Sequence, residues 1–269
     1  MGSRGESDPR SGGPQLTEPP TTIAGSIVVP GDDHTLASCV GGGLGQSLSL
    51  GRGWSALGAL VECSTTSGGR GRQMGRLGRI VRLQVQVGPL KHGVRPDRGY
   101  DTNRIRRVAR LEVTAHGVVG YDGDDSDAIL DVHHRDHPES RYRGDNGLSL
   151  LTTGHYALMR GRFGAHVHDG IAAESVLVER AGWLDLRDLA GGVEIVPGDR
   201  AGDVGGLLLG GATPAQPCVE FSRLVSGDAS ASLREPLAHL RDGMRGYYLQ
   251  VMGQAGTVRE GDWVFSHSV

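Results

Sequence analysis

Cys218 is the residue of this 269-residue chain that best fits nucleophilic or soft-ligand chemistry. A cysteine thiolate can carry a second sulfur atom as a persulfide, and it can ligate a soft transition metal. Pro217 precedes it, and a proline restricts the backbone and favours a rigid turn. The alternative is a buried, inert thiol at the start of a strand, since free cysteines are often buried. The Pro-Cys pair taken alone favours this inert thiol.

A cluster of histidines forms the second candidate site. The run His133-His134-Arg135-Asp136-His137 follows an apolar segment at residues 128–132. Histidine and aspartate at short spacing can bind zinc or another divalent metal, and histidine is also a general base near neutral pH. A polar loop that binds nothing is the competing interpretation, because a metal site needs correctly placed ligands. We expect a pocket role for His133 or His134 more than a metal site.

Arginines supply nearly all the positive charge, because Lys91 is the only lysine. An arginine lowers the pKa of a nearby thiol, and its guanidinium binds phosphate through two parallel hydrogen bonds. For any single arginine, a solvated position on the surface is the simplest interpretation. We nevertheless expect one or two of the arginines to reach a pocket. The candidates for binding an anionic ligand are Arg135, Arg141, Arg143 and Arg245.

Three further positions complete the candidate set. Asn146 belongs to Asp145-Asn146-Gly147, which is typical of a turn into a strand. His155 lies on a predicted helix and can face a pocket, although a packed histidine is the default. Lys91 lies in a Gly- and Pro-containing loop, which predicts a solvated surface lysine. Pyridoxal phosphate is therefore not expected as a covalent cofactor, because its Schiff base could use only this lysine.

The elements that must position these residues are mostly short strands. Val81, Leu83, Val85 and Val87 alternate with polar residues, which predicts a strand with one buried face. Other strands are predicted at 108–113, 128–132, 175–179, 193–196, 207–209, 245–251 and 262–266. Two short helices are predicted, one after Thr152 and Thr153 and one at residues 233–240. Many short strands with glycine turns favour a mainly β fold, either a barrel or a sandwich.

Residues 1–73 differ in composition from residues 74–269. They are rich in Gly, Ser, Thr and Pro and lack sustained hydrophobic periodicity, so they are predicted to be disordered or an artefactual extension before Met74. The net charge of −3 argues against nucleic-acid and membrane partners. The three cysteines are far apart and no secretion signal is recognisable, so a cytoplasmic location is expected.

Several stretches resemble the motifs of one family in order and spacing. Gly117-Val118-Val119-Gly120 is like a Gly-x-x-Gly turn after an early strand, although Tyr121-Asp122 replaces the usual Asp-Arg. Residues 147–152 resemble a strand before the first helix. Residues 173–178 resemble a Gly-Glu-Asn element, from which the chain departs at Ala173 and Ser175.

The most specific stretch is Pro214-Ala215-Gln216-Pro217-Cys218, which is like the Pro-Cys that carries the family's cysteine. Residues 243–251 and then 256–262 are similar to a closing Gly-x-x-Gly-x-Tyr strand and a Gly-x-x-x-x-Gly-Asp turn. Over roughly residues 78–266, the chain resembles the MOSC domain, the module named after the C-terminal part of molybdenum cofactor sulfurases.

The resemblance implies a β-barrel related to the small barrel domain of pyruvate kinase, with a few short helices. It also implies that Cys218 handles sulfur or ligates molybdenum, and that Glu174 orients a ligand or a histidine. The expected ligand is molybdopterin or another anionic, sulfur-containing molecule, and the expected protein partner is a molybdoenzyme or a sulfur donor. Two alternatives remain: a module that delivers the cofactor without turnover, and a metal-assisted hydrolase or lyase that uses the His133–His137 loop.

Overall fold

The computed structural model describes residues 74–141, 147–198, 205–228 and 232–268. Residues 1–73, Arg143 and Asn146 lie outside the described residues, and so does most of the predicted turn at 145–147. Within the described ranges the chain is mainly β, and none of the helices there is long and apolar enough to cross a membrane.

The described strands are short except for the first. They are β1 (Met74–Gln86), β2 (Lys91–His92), β3 (Gly99–Tyr100), β4 (Ile105–Arg107), β5 (Arg110–Thr114), β6 (Gly117–Tyr121), β7 (Ile129–Leu130), β8 (Leu148–Thr152), β9 (Val176–Glu179), β10 (Val193–Val196), β11 (Leu207–Pro214), β12 (Tyr247–Val251), β13 (Gly256–Arg259) and β14 (Trp263–His267). The helices are α1 (Thr153–Phe163), α2 (Val219–Ser226) and α3 (Arg234–His239), with short 3-10 turns at Thr102–Arg104 and Leu186–Leu189.

Seven strands close into a β-barrel, in the order β14-β10-β11-β12-β8-β9-β1, because β1 also pairs with β14. Strands β8 and β9 pair in parallel, and the other barrel pairs are antiparallel. A smaller sheet has the order β13-β5-β6-β7, and β2 and β3 form a hairpin. The predicted mainly β barrel is therefore confirmed.

Strand β1 departs from simple alternation. Leu83 and Val85 are buried in the barrel as predicted, but Ile80 is buried there too. The pairing of β1 with β9 shifts register between Ile80 and Arg82, which places Ile80 and Leu83 on the same face. Val81 consequently packs against a second apolar cluster on the outside of the barrel.

That second cluster lies between the barrel and the helices. Tyr156 and Met159 of α1 meet Phe221 and Val225 of α2, and all four side chains are fully buried. Cys218 packs partly against the same cluster. The site described below therefore forms where the helical layer meets the barrel wall.

The sequence predicted most of the longer elements but missed the strands β2, β3, β4, β6 and β13 and the helix α2. Helix α1 begins after Thr152, whose side chain accepts a hydrogen bond from the His155 amide, as a capping residue should. The predicted turn at residues 117–120 is wrong, because these residues form β6. Gly120 is needed there for close packing, since a Cβ would lie 2.9 Å from side-chain atoms of Val85 and Val108. Helix α2 was not predicted, so Cys218 precedes a helix and not a strand.

Candidate functional site

A polar cavity of about 510 Å³ opens beside Cys218. Four cationic side chains line it: Lys91, Arg98, Arg141 and Arg245. The other titratable groups in its wall are Tyr100, His133, Glu139 and Tyr248. Two other clefts have similar volumes, about 530 and 580 Å³. Arg107 and Glu260 form an ion pair in the wall of the first, and no cysteine or histidine lines either cleft. The cavity at Cys218 is the one whose groups can do chemistry.

Cys218 occupies the N-cap position of α2 and is partly exposed to the cavity. Its backbone is extended, with φ −118° and ψ 156°, and its side chain makes no capping bond to the helix. The sulfur is therefore free of a capping role. The positive end of a helix dipole favours a negative charge nearby, and this helix begins at the cavity.

Glu220 links the thiol to two of the cations. Its carboxylate lies 3.9 Å from the Lys91 ammonium nitrogen and 3.7 Å from the Arg98 Nε. Burial raises the pKa of Glu220, but its own backbone N–H, the charges of Lys91 and Arg98 and a hydrogen bond from the Cys218 thiol together lower it below its ordinary value. The carboxylate is thus held ionised and fixes both cations near the sulfur.

Arg245 crosses the floor of the cavity and is held on three sides. Its Nη1 donates to the Ala172 carbonyl at 2.6 Å, and its Nη2 donates to the Tyr100 hydroxyl at 3.3 Å. Its guanidinium carbon lies 4.1 Å from the centre of the Phe221 ring. Burial lowers the pKa of Arg245, but the nearby acidic groups Tyr100, Tyr248 and Cys218 outweigh burial and raise it. Arg245 therefore stays charged while largely enclosed.

The segment that receives Arg245 is a strained turn. Ala173 has φ 60°, a left-handed conformation that costs a residue with a Cβ about 1–2 kcal/mol. The Tyr156 hydroxyl accepts from the Ala172 N–H at 3.0 Å and donates to Glu174 Oε2 at 2.7 Å. The Ala173 carbonyl accepts from Gln86 Nε2 at 3.1 Å. One buried tyrosine thus holds the turn whose carbonyls position Arg245 and Gln86.

The side chain of Glu174, at the end of this turn, is buried and does not line the cavity. It is 3% exposed, and its Oε1 has no hydrogen-bond partner among the described residues. Burial raises its pKa to about 7, although Tyr156, its own backbone and the charges of Arg245 and Arg82 act in the opposite direction. Glu174 is therefore buried near Arg245, and it does not face the cavity as a ligand-orienting residue would.

His133 lines the cavity and is oriented by Asp131. Its Nδ1 lies 2.8 Å from Asp131 Oδ1. Burial lowers the pKa of His133, but the hydrogen bond and charge of Asp131 outweigh burial and raise it above its ordinary value. Protonation of this ring is therefore more favourable than for an ordinary histidine.

Three other predicted site residues, His134, Arg135 and His155, lie away from the cavity. His134 is buried and accepts from the Asp136 N–H at 3.2 Å, and exposed Arg135 lies 3.3 Å from a ring nitrogen of His116. His155 is fully buried beside Thr152, and burial lowers its pKa to about 4, so it stays neutral and does not face the cavity. None of these three lines the cavity.

The histidine loop does not assemble a metal site in the described part of the chain. No group of three His, Cys, Asp or Glu side chains is placed there to hold an ion. His133 bonds to Asp131, His134 accepts from the Asp136 amide, and His137 accepts from the Glu139 amide. Each ring is thus engaged separately.

Sequence reasoning found four residues of the cavity wall and missed others. Cys218, His133, Arg141 and Arg245 were predicted and line one cavity. Lys91 is exposed, as predicted for a surface lysine, but the hairpin β2–β3 also places it in the cavity wall with Arg98 and Tyr100. Helix α2 could have been predicted from the helical spacing of Phe221, Leu224 and Val225. Gly227, which ends the helix with φ 69°, is a typical residue for the end of a helix.

No protein-family model matches the chain, and no curated protein matches it at a significant level. Among solved structures, the YUAD protein from Bacillus subtilis is 14% identical with a TM-score of 0.44, covering 74% of this chain and 98% of that one. YiiM from Geobacillus stearothermophilus is 16% identical with a TM-score of 0.41, covering 73% of this chain and 76% of that one. A hypothetical protein is 13% identical with a TM-score of 0.40, covering 70% and 69% of the two chains.

Proposed function

We propose that this chain binds an anionic, sulfur-containing ligand in the cavity and carries sulfur on Cys218. The observation behind the proposal is that a partly exposed thiol shares one cavity with four cations and an oriented histidine. Two of these cations are fixed by Glu220, and Arg245 is fixed by Ala172 and Tyr100. Fixed cations bind an anion at lower cost, because little side-chain freedom is lost on binding.

The proposed step is transfer of a sulfane sulfur from a persulfide donor. The Cys218 thiolate attacks the terminal sulfur of the donor persulfide and forms a new S–S bond. The S–S bond of the donor breaks, and the electron pair leaves with the donor thiolate. One persulfide is consumed and one is formed, so no external oxidant or reductant is needed. A sulfur-donor protein or a small persulfide can supply the reactant.

The arrangement of the family-like stretches supports the proposal. The Pro-Cys stretch ends at the cavity, the closing strand provides Arg245 and Tyr248, and the segment at residues 172–174 supports Arg245. Three stretches that are far apart in the sequence thus converge on one site. The MOSC resemblance implies a sulfur-handling cysteine at this position and a β-barrel around it.

Mass spectrometry of the protein after exposure to a polysulfide donor tests the transfer. We expect the peptide that contains Cys218 to gain the mass of one sulfur atom, and the gain to disappear on reduction. The variant Cys218→Ser, which keeps the size of the side chain, should gain none there. An unmodified Cys218 peptide in wild-type protein under conditions that modify a small free thiol would contradict the proposal.

A second use of the same groups is binding a molybdenum cofactor. The donors fit such a group, because a thiolate is a soft ligand and arginines bind a phosphate bidentately. Cys218 would hold the metal, and Arg245 with Lys91 would hold the anionic tail. The bound group would supply redox or oxygen-transfer chemistry.

Elemental analysis of freshly purified protein distinguishes cofactor binding from sulfur carriage. Stoichiometric molybdenum that is lost in Cys218→Ser supports cofactor binding. Absence of molybdenum, together with a persulfide on Cys218, favours sulfur carriage. A molybdoenzyme would be the partner in the first case.

A further inference from the structure

The loop that carries His133 has a buried acid at its base. Asp131 is 3% exposed and lies just after β7. Its Oδ1 accepts from the His133 backbone N–H at 2.9 Å and lies 2.8 Å from the ring Nδ1. Its Oδ2 accepts from the Gln86 backbone N–H at 2.7 Å, at the end of β1. This carboxylate therefore ties the histidine to the barrel wall.

These bonds determine which ring nitrogen is available. An ionised carboxylate only accepts hydrogen bonds, so the Nδ1 of His133 carries the proton that points to Asp131. The other nitrogen, Nε2, is then an acceptor in the neutral ring and a donor in the cation. Because Asp131 is sealed from solvent while His133 lines the cavity, Nε2 is the nitrogen that a ligand can use.

We propose that Asp131 is a positioning residue, which fixes the imidazole of His133 so that Nε2 acts as proton acceptor and donor for chemistry at Cys218. This inference rests on the proposed sulfur transfer. Neutral Nε2 takes the proton of the Cys218 thiol as the thiolate forms. It returns that proton to the thiolate that leaves the donor, so the ring ends neutral and no proton is consumed.

The surroundings of the ring decide how strongly it depends on Asp131. Other elements and the loop itself bring charged or titratable groups to the same cavity: Lys91 and Arg98, Tyr100 and Tyr248, Glu139 and Arg141, Cys218 and Arg245. Burial lowers the pKa of the His133 ring. Both contributions that raise the pKa of His133 come from Asp131. Removing the carboxylate should therefore leave a weaker base.

Nuclear magnetic resonance of the histidine rings tests the geometry directly. In the wild-type protein we expect neutral His133 to be the tautomer protonated on Nδ1, with its signals assigned by their loss in His133→Gln. In Asp131→Asn, the pKa of His133 should fall below its wild-type value. The matched control is Asp136→Asn, an exposed carboxylate of the same loop that lies 3.9 Å from His134 Nδ1, and it should leave His133 unchanged.

Two results would overturn the inference. One is neutral His133 protonated on Nε2 in the wild-type protein, a measurement that needs no variant and survives if Asp131→Asn fails to fold. The other is a His133 pKa in folded Asp131→Asn equal to that of the wild type.

The rate of sulfur loading separates this inference from the proposed function. Asp131→Asn should load Cys218 from polysulfide about tenfold to 100-fold more slowly. This loss is smaller than the roughly 100-fold to 10,000-fold that a general acid–base group contributes, because the imidazole itself remains. Asp136→Asn should load at the wild-type rate. If wild-type Cys218 never loads, the proposed function fails while the tautomer result still stands. If Asp131→Asn loads as fast as wild type, the role of Asp131 fails alone.

Discussion

At the scale of single residues, Glu174 shows how the buried layer beneath the cavity responds to pH. Burial raises its pKa to about 7 from an ordinary value of 4.5. A carboxyl group whose pKa is higher in the folded than in the unfolded state binds its proton more tightly when folded. Its contribution to stability is fully present below the unfolded pKa and is lost as pH rises through the folded pKa.

We therefore expect Glu174→Gln to stabilise the protein at high pH. The amide keeps an acceptor for the Tyr156 hydroxyl but cannot ionise, so the variant should exceed the wild type by roughly 1–3 kcal/mol at about pH 8. The difference should shrink towards zero at about pH 4. Urea unfolding across this pH range measures it. Glu139→Gln, at an exposed carboxylate of the cavity wall, is the control and should show no such pH dependence.

Single residues were predictable where residue type alone implies chemistry. Cys218, His133, Arg141 and Arg245 stood out by type and by neighbouring sequence, and the fold brings them to one cavity. Asp131 was not a candidate, because its role depends on a hydrogen bond to the β1 backbone. Whether any of these residues acts in catalysis or binding stays a prediction.

At the scale of elements, helix α1 is held close to the loop at Gly182 by a glycine. A Cβ on Gly154 would lie 1.7 Å from the Gly182 carbonyl oxygen, which is backbone and cannot swing away. Gly161 lies on the same helix, and a Cβ there would meet nothing within 4 Å. Only Gly154 is required by close packing, so substitution by alanine should have opposite effects on the stability of the fold at the two positions.

We expect Gly154→Ala to destabilise the fold by about 2 kcal/mol or more, because α1 must move off the loop. Gly161→Ala should stabilise it by up to about 1 kcal/mol, because alanine favours the helix. Thermal or urea unfolding of both variants measures the contrast. Equal shifts of the same sign would contradict the packing of α1 against Gly182.

Elements were predictable where a local pattern survives folding. Alternation predicted β1, short apolar runs predicted several other strands, and Thr152 predicted the start of α1. The register shift in β1 was not predictable, because it arises from pairing with β9 about a hundred residues away. The hairpin β2–β3 has two-residue strands, which are too short to leave a periodic pattern. The place of Lys91 in the cavity wall was missed for that reason.

At the scale of the whole molecule, barrel closure assembles the site. Strand β1 pairs with β9, β14 and β4, so its end at Gln86 lies beside the turn at 172–174 and the loop after β7. Strand β12 brings Tyr248, Arg245 lies just before that strand, and Cys218 caps the start of α2. Each contribution comes from a different part of the chain. The sequence could thus predict a β-barrel and a set of candidates, but not which candidates share a wall.

The central claim is that the thiol of Cys218 and an anion occupy the same cavity. The most direct test is the rate at which iodoacetamide alkylates Cys218, followed by mass spectrometry of its peptide, with and without saturating inorganic phosphate as the probe. We predict that phosphate slows alkylation in the wild-type protein. Arg245→Met should lose this protection, and Arg241→Met, which changes an exposed arginine outside the cavity wall, should keep it. An alkylation rate that saturating phosphate leaves unchanged in the wild-type protein would contradict the account.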